Sequence, residues 1–318
     1  MRKAILASVI LSSMFSVAQA ADVKFGGDVS YRNDALETTT SSNRDRIRLQ
    51  LNANSTIDNK TKVAFGVRTG NTKSAWNDMG DNSGLKTIGL NLAYVEYAAA
   101  PFAKVTLGKM NRPWSSDALF FDNDIKPEGL AVALKHGSGL TASAFKLKLS
   151  EGITAADSSI VGAQVGYGKK VYGIDLAGSA AKLNQTVAGS KTDQLVVNLS
   201  AKTNIVNVPV KVFAEQSTNS SASTLNKATA AGITISEANK AGSWDVSLLK
   251  QKSEANALSS VWTDSDFGGE AVQADGTVVR ATYAVTDSWK IRGTSFNVKT
   301  GAASSKYNRT MIDLVFAY

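Results

Sequence analysis

Residues Arg44 to Asn54 read R-D-R-I-R-L-Q-L-N-A-N. In an extended strand, successive side chains point to opposite faces. Arg44, Arg46, Arg48, Gln50, Asn52 and Asn54 therefore share one face, and Ile47, Leu49, Leu51 and Ala53 share the other. A soluble sandwich buries such an apolar face in a core. An outer-membrane barrel turns it to lipid and lines water with the polar face.

The alternation recurs along the chain. Lys62, Ala64, Gly66 and Arg68 oppose Val63, Phe65 and Val67. Lys104 and Thr106 oppose Val105 and Leu107, Lys146 and Lys148 oppose Phe145, Leu147 and Leu149, and Lys290 and Arg292 oppose Trp289 and Ile291. Glu96 breaks the rule, falling with Leu92 and Tyr94 on the outward set. The segments expected as strands are approximately 23–33, 44–57, 61–70, 86–98, 103–109, 129–136, 140–150, 159–168, 171–183, 192–203, 208–217, 227–238, 243–253, 277–286, 289–299 and 307–318. Each is of the length that crosses a bilayer when tilted. No stretch beyond residue 20 approaches a transmembrane helix, and no helical stripe appears.

The connections separate two architectures. Asp58-Asn59-Lys60, His136-Gly137-Ser138-Gly139, Lys169-Lys170, Asn239 to Gly242 and Thr286-Asp287-Ser288 are short; Asn71 to Leu85, Lys109 to Glu128, Thr218 to Asn226 and Glu254 to Gly276 are long. Alternation of the two predicts an up-and-down barrel with tight periplasmic turns and long external loops, and one domain over residues 21–318. The last segment places Ile312, Leu314, Phe316 and Tyr318 at every second position. That pattern resembles the terminal signal read by outer-membrane assembly machinery. Tyr31, Tyr94, Tyr167, Tyr172, Trp289 and Tyr318 fall near strand ends, where interfacial girdles are expected.

The first twenty residues are consistent with that address. Arg2 and Lys3 precede a short apolar run, Ala4 to Val17, and Ala18-Gln19-Ala20 is a small-x-small cleavage site. The chain has no cysteine, so neither disulfides nor lipid attachment at the cleavage site is available. Of 35 Lys and Arg, two lie in this leader, against 27 Asp and Glu overall. The basic excess is dispersed rather than clustered, which argues against a nucleic-acid partner.

One stretch is neither strand nor ordinary loop. Between the strands ending at Gly108 and starting near Leu130, Asn, Asp and Pro interrupt Trp114, Leu119, Phe120 and Phe121. The stretch is expected to fold back into the barrel mouth and narrow it.

Three motifs then carry a resemblance over the mature chain: Arg44-x-Arg46-x-Arg48-Leu49, Gly108-Lys109 followed by Pro113-Trp114, and Asp122-x-Asp124-x-x-Pro127-Glu128-Gly129. Together they resemble the "putative porin" family of Gram-negative outer-membrane proteins and are similar to general trimeric diffusion porins. The resemblance implies a homotrimer of sixteen-stranded barrels whose third loop forms a constriction. It further implies that Arg44, Arg46 and Arg48 form a basic wall facing acidic candidates Asp117, Asp122, Asp124 and Glu128 on the loop. Opposed charge rows across a narrow water path set up a transverse field that orients polar solutes.

Other readings of the same residues stay open. The arginine row also suits an exposed strand face. The acidic loop also suits Asx turns that cap backbone N–H groups. A third reading is calcium held by Asp122, Asn123 and Asp124; calcium takes six to eight oxygens, and three clustered groups are too few to assign it. With His136 the only histidine, and at the turn end of its strand, neither a catalytic site nor a transition-metal site is expected, nor any cofactor.

The expected function is passive diffusion of small hydrophilic solutes and ions across the outer membrane. Arg44, Arg46, Arg48, Arg68, Lys104, Lys146, Lys148 and Arg292, read as facing the lumen, predict a weak anion preference that the acidic loop opposes. A substrate-specific channel, a non-conducting structural or adhesive barrel and a soluble secreted sandwich are the alternatives.

Overall fold

The computed structural model describes residues 22–80, 84–150, 157–187 and 190–318. The candidate leader, residues 1–20, lies outside them. The strands are β1 (Val23–Glu37), β2 (Ser41–Thr56), β3 (Thr61–Thr69), β4 (Asn77–Asp78), β5 (Ile88–Ala100), β6 (Ala103–Lys109), β7 (Glu128–Lys135), β8 (Leu140–Ser150), β9 (Ser158–Val171), β10 (Ile174–Val187), β11 (Ser190–Ile205), β12 (Val208–Asn219), β13 (Lys227–Ser236), β14 (Trp244–Ser253), β15 (Ala274–Ala284), β16 (Trp289–Thr300) and β17 (Ser305–Ala317).

Each wall strand pairs antiparallel with its neighbours, and β1 pairs with both β2 and β17, so the sheet closes on itself. Closure leaves no unpaired edge, which is what hydrocarbon demands of a sheet. β4 is a two-residue rung on β2, with Asp78 opposite Arg46, and β3 pairs past it with β5. The remaining sixteen strands form the wall, and each overlaps one of the sixteen expected segments.

The two ends differ. At one end lie tight turns such as 101–102, 136–139 and 172–173. At the other lie the longest connections, 70–87, 110–127 and 254–273. The expected alternation is not strict, because 38–40 and 301–304 are short at the loop end. The turn expected at Lys169-Lys170 instead falls at Tyr172-Gly173, whose φ angles of 49° and 82° fit the turn that matches strand twist.

The outer face is apolar. Phe65, Leu107, Leu199, Leu248 and Ile312 are 46–61% exposed. Tyr167, Tyr172, Trp289 and Tyr318 are exposed at the turn end, joined by Phe25, Tyr97, Phe102, Trp244 and Tyr283. Trp289 and Phe316 rings lie 4.9 Å apart there. Tyr31 is exposed nearer the loop end and donates to Asp45.

Three facing assignments change. The register shifts opposite Gly66/Val67, so a bulge at Asn91–Leu92 reverses the lower part of β5. Val95 and Tyr97 point out, while Leu92, Tyr94 and Glu96 point in; Tyr94 packs on the interior cluster and is not a girdle residue. On β8, Phe145 and Leu147 are buried inside, which turns Lys146 and Lys148 outward. On β7, Glu128 shares the face of exposed Leu130 and Leu134, opposite Lys148 of β8. The polar-inside rule yields wherever the inner wall must meet an apolar loop.

Candidate functional site

The 110–127 loop leaves the wall at a pair of glycines. Gly108 and Gly129 face each other across β6 and β7, with φ of 123° and 151°. A Cβ on Gly108 would lie 2.2 Å from the Ala93 carbonyl oxygen, and one on Gly129 would lie 2.3 Å from that of Lys146. Only glycine accepts both the dihedral and the approach.

Within the loop, Arg112 donates to the Trp114 and Phe121 carbonyls at 3.2 and 3.1 Å and stacks over both rings. Burial lowers its pKa to about 10. Trp114 stacks on Phe145 of β8 at 5.0 Å and meets Phe121 and Trp262 edge-on, each at 5.5 Å. Phe120, Phe121 and Ile125 join Leu147, Ile160, Leu183 and Val196 from the inner wall in one cluster, with Leu258 and Trp262 of the 254–273 loop. Burial of rings on this scale contributes several kcal/mol.

Polar contacts fix the loop's course. Ser115 N–H donates to Gln164 of β9 at 3.0 Å. Ser116 Oγ donates to Glu215 of β12 at 2.5 Å, and the Asp117 and Ala118 N–H groups donate to the same carboxylate at 2.7 and 3.2 Å. Leu119 exchanges two hydrogen bonds with Gln251 of β14, at 2.9 and 3.2 Å. These partners lie on the inner face of β9, β12 and β14, strands distant from the loop's own.

The return brings the loop to β3. Arg68 Nη1 donates to Asp124 at 2.7 Å, and the other Asp124 oxygen accepts the Ala75 N–H at 3.1 Å. Two more loops meet there. Lys73 reaches Glu270 at 2.9 Å and the Ser260 carbonyl at 2.7 Å, and Ser265 Oγ donates to the Lys73 carbonyl.

The charged wall stands on β1, β2, β16 and β17. Asp34 accepts two hydrogen bonds from Arg309, at 2.7 and 2.8 Å, and pairs with Arg44 and Arg46 at 3.0 and 3.4 Å. Arg46 also reaches Asp78 at 2.8 Å. Arg48 donates to Asp28 at 2.8 Å, and Arg32 holds Asp313 with contacts of 2.6 and 3.0 Å. Trp76 lies under both guanidiniums, 4.1 Å from Arg32 and 5.1 Å from Arg48. Below, toward the turn end, a recess of about 580 Å³ is lined by Lys24, Asn54, Lys62, Tyr94, Glu96 and Lys104.

The expected residues therefore separate. Arg44, Arg46 and Arg48 share the inner face, but their carboxylate partners are Asp34, Asp78 and Asp28. Of the loop acids, Asp124 meets Arg68, whereas Asp117 pairs with Lys211 of β12. Asp122 is buried and accepts N–H groups from Asp124 and Ser265, at 2.7 and 3.3 Å, as an Asx turn does. Glu128 binds Lys109 at 2.9 Å on the outward side. His136 is exposed in a turn, 2.9 Å from Ser138 Oγ.

Arg32, Arg309, Asp28, Asp34, Asp313, Trp76, Glu215 and Gln251 were not singled out from the sequence. The alternation of β1 and β17 puts their acids and arginines on the inner face, and that was the available signal. Nothing local marks Glu215 or Gln251 as loop anchors.

Comparison with known proteins places this geometry. Residues 12–167 match a family model described as "Putative porin". The chain resembles the high-pH structure of OprB from Pseudomonas putida (11% identity; 93% of this chain and 94% of that chain covered; TM-score 0.68). It also resembles an anion-selective porin from Comamonas acidovorans (14%; 94% and 100%; 0.61) and Salmonella typhi OmpF in complex with daunomycin (13%; 93% and 97%; 0.60). At these identities the likeness is one of fold. No curated protein matches the chain in sequence. Residues 12–167 thus resemble the "Putative porin" family, and the closed sixteen-strand wall shares its fold with porin barrels.

Proposed function

We propose that the chain is a passive diffusion channel for small hydrophilic solutes and ions. One observation carries this reading: charged side chains run along one side of the barrel interior from end to end. Lys24, Lys62, Glu96 and Lys104 line the turn end. Arg48, Arg68 and Arg292 follow, and Arg44 and Asp78 stand at the loop end with side chains 39% and 43% exposed. The apolar cluster around Trp114, Phe145 and Trp262 covers the opposite side. Charges in this number on an inner face require water, because a lipid-facing Arg or Lys at mid-depth costs about 2–4 kcal/mol.

The long loops then face the exterior, the 110–127 loop narrows the path, and residues 1–20 are a leader removed on export. The unit is a homotrimer. Asp28, Asp34 and Asp313 neutralise much of the arginine wall, so the anion preference is weak. Refolded protein in planar bilayers tests the reading: stepwise currents grouped in threes, with a reversal potential displaced slightly toward anions, are expected. A folded, inserted barrel that passes no current refutes it.

A second reading, a substrate-specific channel, is favoured by the ties among the three loops at the mouth, Lys73–Glu270 and Arg68–Asp124. It requires saturable block of the ion current by one solute class.

A further inference from the structure

Lysines also stand on the outer wall, near the loop end. At the loop end of β14–β17, one cross-strand row reads Lys252, Asp275, Lys299, Lys306, each opposite the next. Lys250 lies two residues below Lys252 and pairs with Asp275, while Lys306 reaches Glu37 of β1 at 2.6 Å. All share the outward face: Leu248, Val279, Ile291 and Ile312, at even spacing below them on the same strands, are 46–51% exposed.

Like charges directly opposite each other in a sheet destabilise it, and Lys299 faces Lys306. Four ammonium groups share Asp275 and Glu37. A single lysine needs only any headgroup to snorkel toward, but a row of them calls for anions in register.

We propose that this row is a binding site for a phosphorylated lipid of the outer leaflet. Phosphate groups would lie between Lys252, Lys299 and Lys306, and acyl chains along the apolar strip below. Strands stand about 4.8 Å apart, so Lys252 and Lys299, two strands apart, span about 10 Å, which suits a headgroup bearing two phosphates. Compact ammonium charges suit phosphate as point charges, and each basic group near such a surface strengthens binding several-fold. The site rests on the membrane placement and orientation proposed above.

The test uses the refolded full barrel in neutral detergent, titrated with bisphosphorylated lipid A and with its dephosphorylated form, and read by native mass spectrometry. The wild type should hold the phosphorylated lipid. The triple substitution Lys252→Gln, Lys299→Gln and Lys306→Gln should weaken that binding by about tenfold or more. Lys169→Gln, at the turn end, should leave it unchanged, and heat-modifiable migration confirms that each variant is folded. Resistance of the bound lipid to inorganic phosphate supports a lipid headgroup as the source. Displacement by phosphate alone, equal binding of the dephosphorylated lipid, or unchanged affinity in the triple variant each overturns the site. Bilayer conductance of the triple variant should match wild type, so loss of channel function and loss of the lipid site are read separately.

Discussion

The Arg68 guanidinium donates to the Asp124 carboxylate at 2.7 Å and so ties wall strand β3 to the loop that crosses the interior. The Arg68 side chain is 8% exposed, the Asp124 side chain 33%. Asp124→Asn leaves Arg68 its bonds to the Asn71 and Thr72 carbonyls. The loss is therefore modest, about 1 kcal/mol after screening. That suffices to free the loop intermittently. Single-channel records of Asp124→Asn should show more frequent transient closures than wild type at an unchanged main conductance level. Records indistinguishable from wild type would mean the pair does not hold the loop.

Glu215 anchors the same loop from the far wall. Its carboxylate accepts from Ser116, Asp117, Ala118 and Asn198. A glutamine at this position turns an amide toward donors, and hydrogen bonds to a charged group are worth about 2 kcal/mol each. Glu215→Gln should leave the barrel folded and undock residues 115–119. Chymotrypsin, which finds Phe120 and Phe121 fully buried in the native protein, should then cut there faster. Protection equal to wild type would remove Glu215 from the anchoring role.

Inner and outer basic residues should differ in their effect on selectivity. Arg48→Gln and Arg292→Gln remove charge from the inner wall and should move the reversal potential toward cations. Lys146→Gln lies outward on β8 and should leave it in place. If Lys146→Gln moved the potential as far as Arg48→Gln, the assignment of faces on β8 would be wrong.

Phe145 and Lys146 also show how far the residues alone could be read. Period-two alternation places every wall strand, because a strand one register out would put its whole apolar set on the wrong side. The same alternation says only that β8 has two unlike faces. Lipid outside and Trp114 inside are both apolar, so local sequence does not decide which of them Phe145 meets. Glu96 fails differently, since one extra residue at Asn91–Leu92 reverses the parity of everything after it. The arginines of β2 were legible as a row. Their true partners were not, because Asp34 and Asp78 reach them only through strand pairing and through a loop that turns back on its own wall.

Asp122 gives the loop a pH dependence. Burial raises its pKa to about 6, helped by the charges of Asp124 and Asp266 and opposed by the N–H groups of Asp124 and Ser265. An exposed aspartate titrates near about 4. Below that value the docked and undocked loops are both protonated, and the contribution of Asp122 to docking is complete. Between about 4 and about 6 the docked loop holds a proton that the undocked loop has released, so docking weakens as pH rises through this window and is level above it. Residues 110–127 should thus be held more firmly at pH about 4.5 than at about 7. Asp122→Asn, which keeps an oxygen to accept the Asp124 N–H without the charge, should abolish the difference. The measurement is closure frequency in bilayers for both proteins across that range. Wild-type closures that are less frequent at the higher pH, or a dependence that persists in Asp122→Asn, would assign the titration to another group.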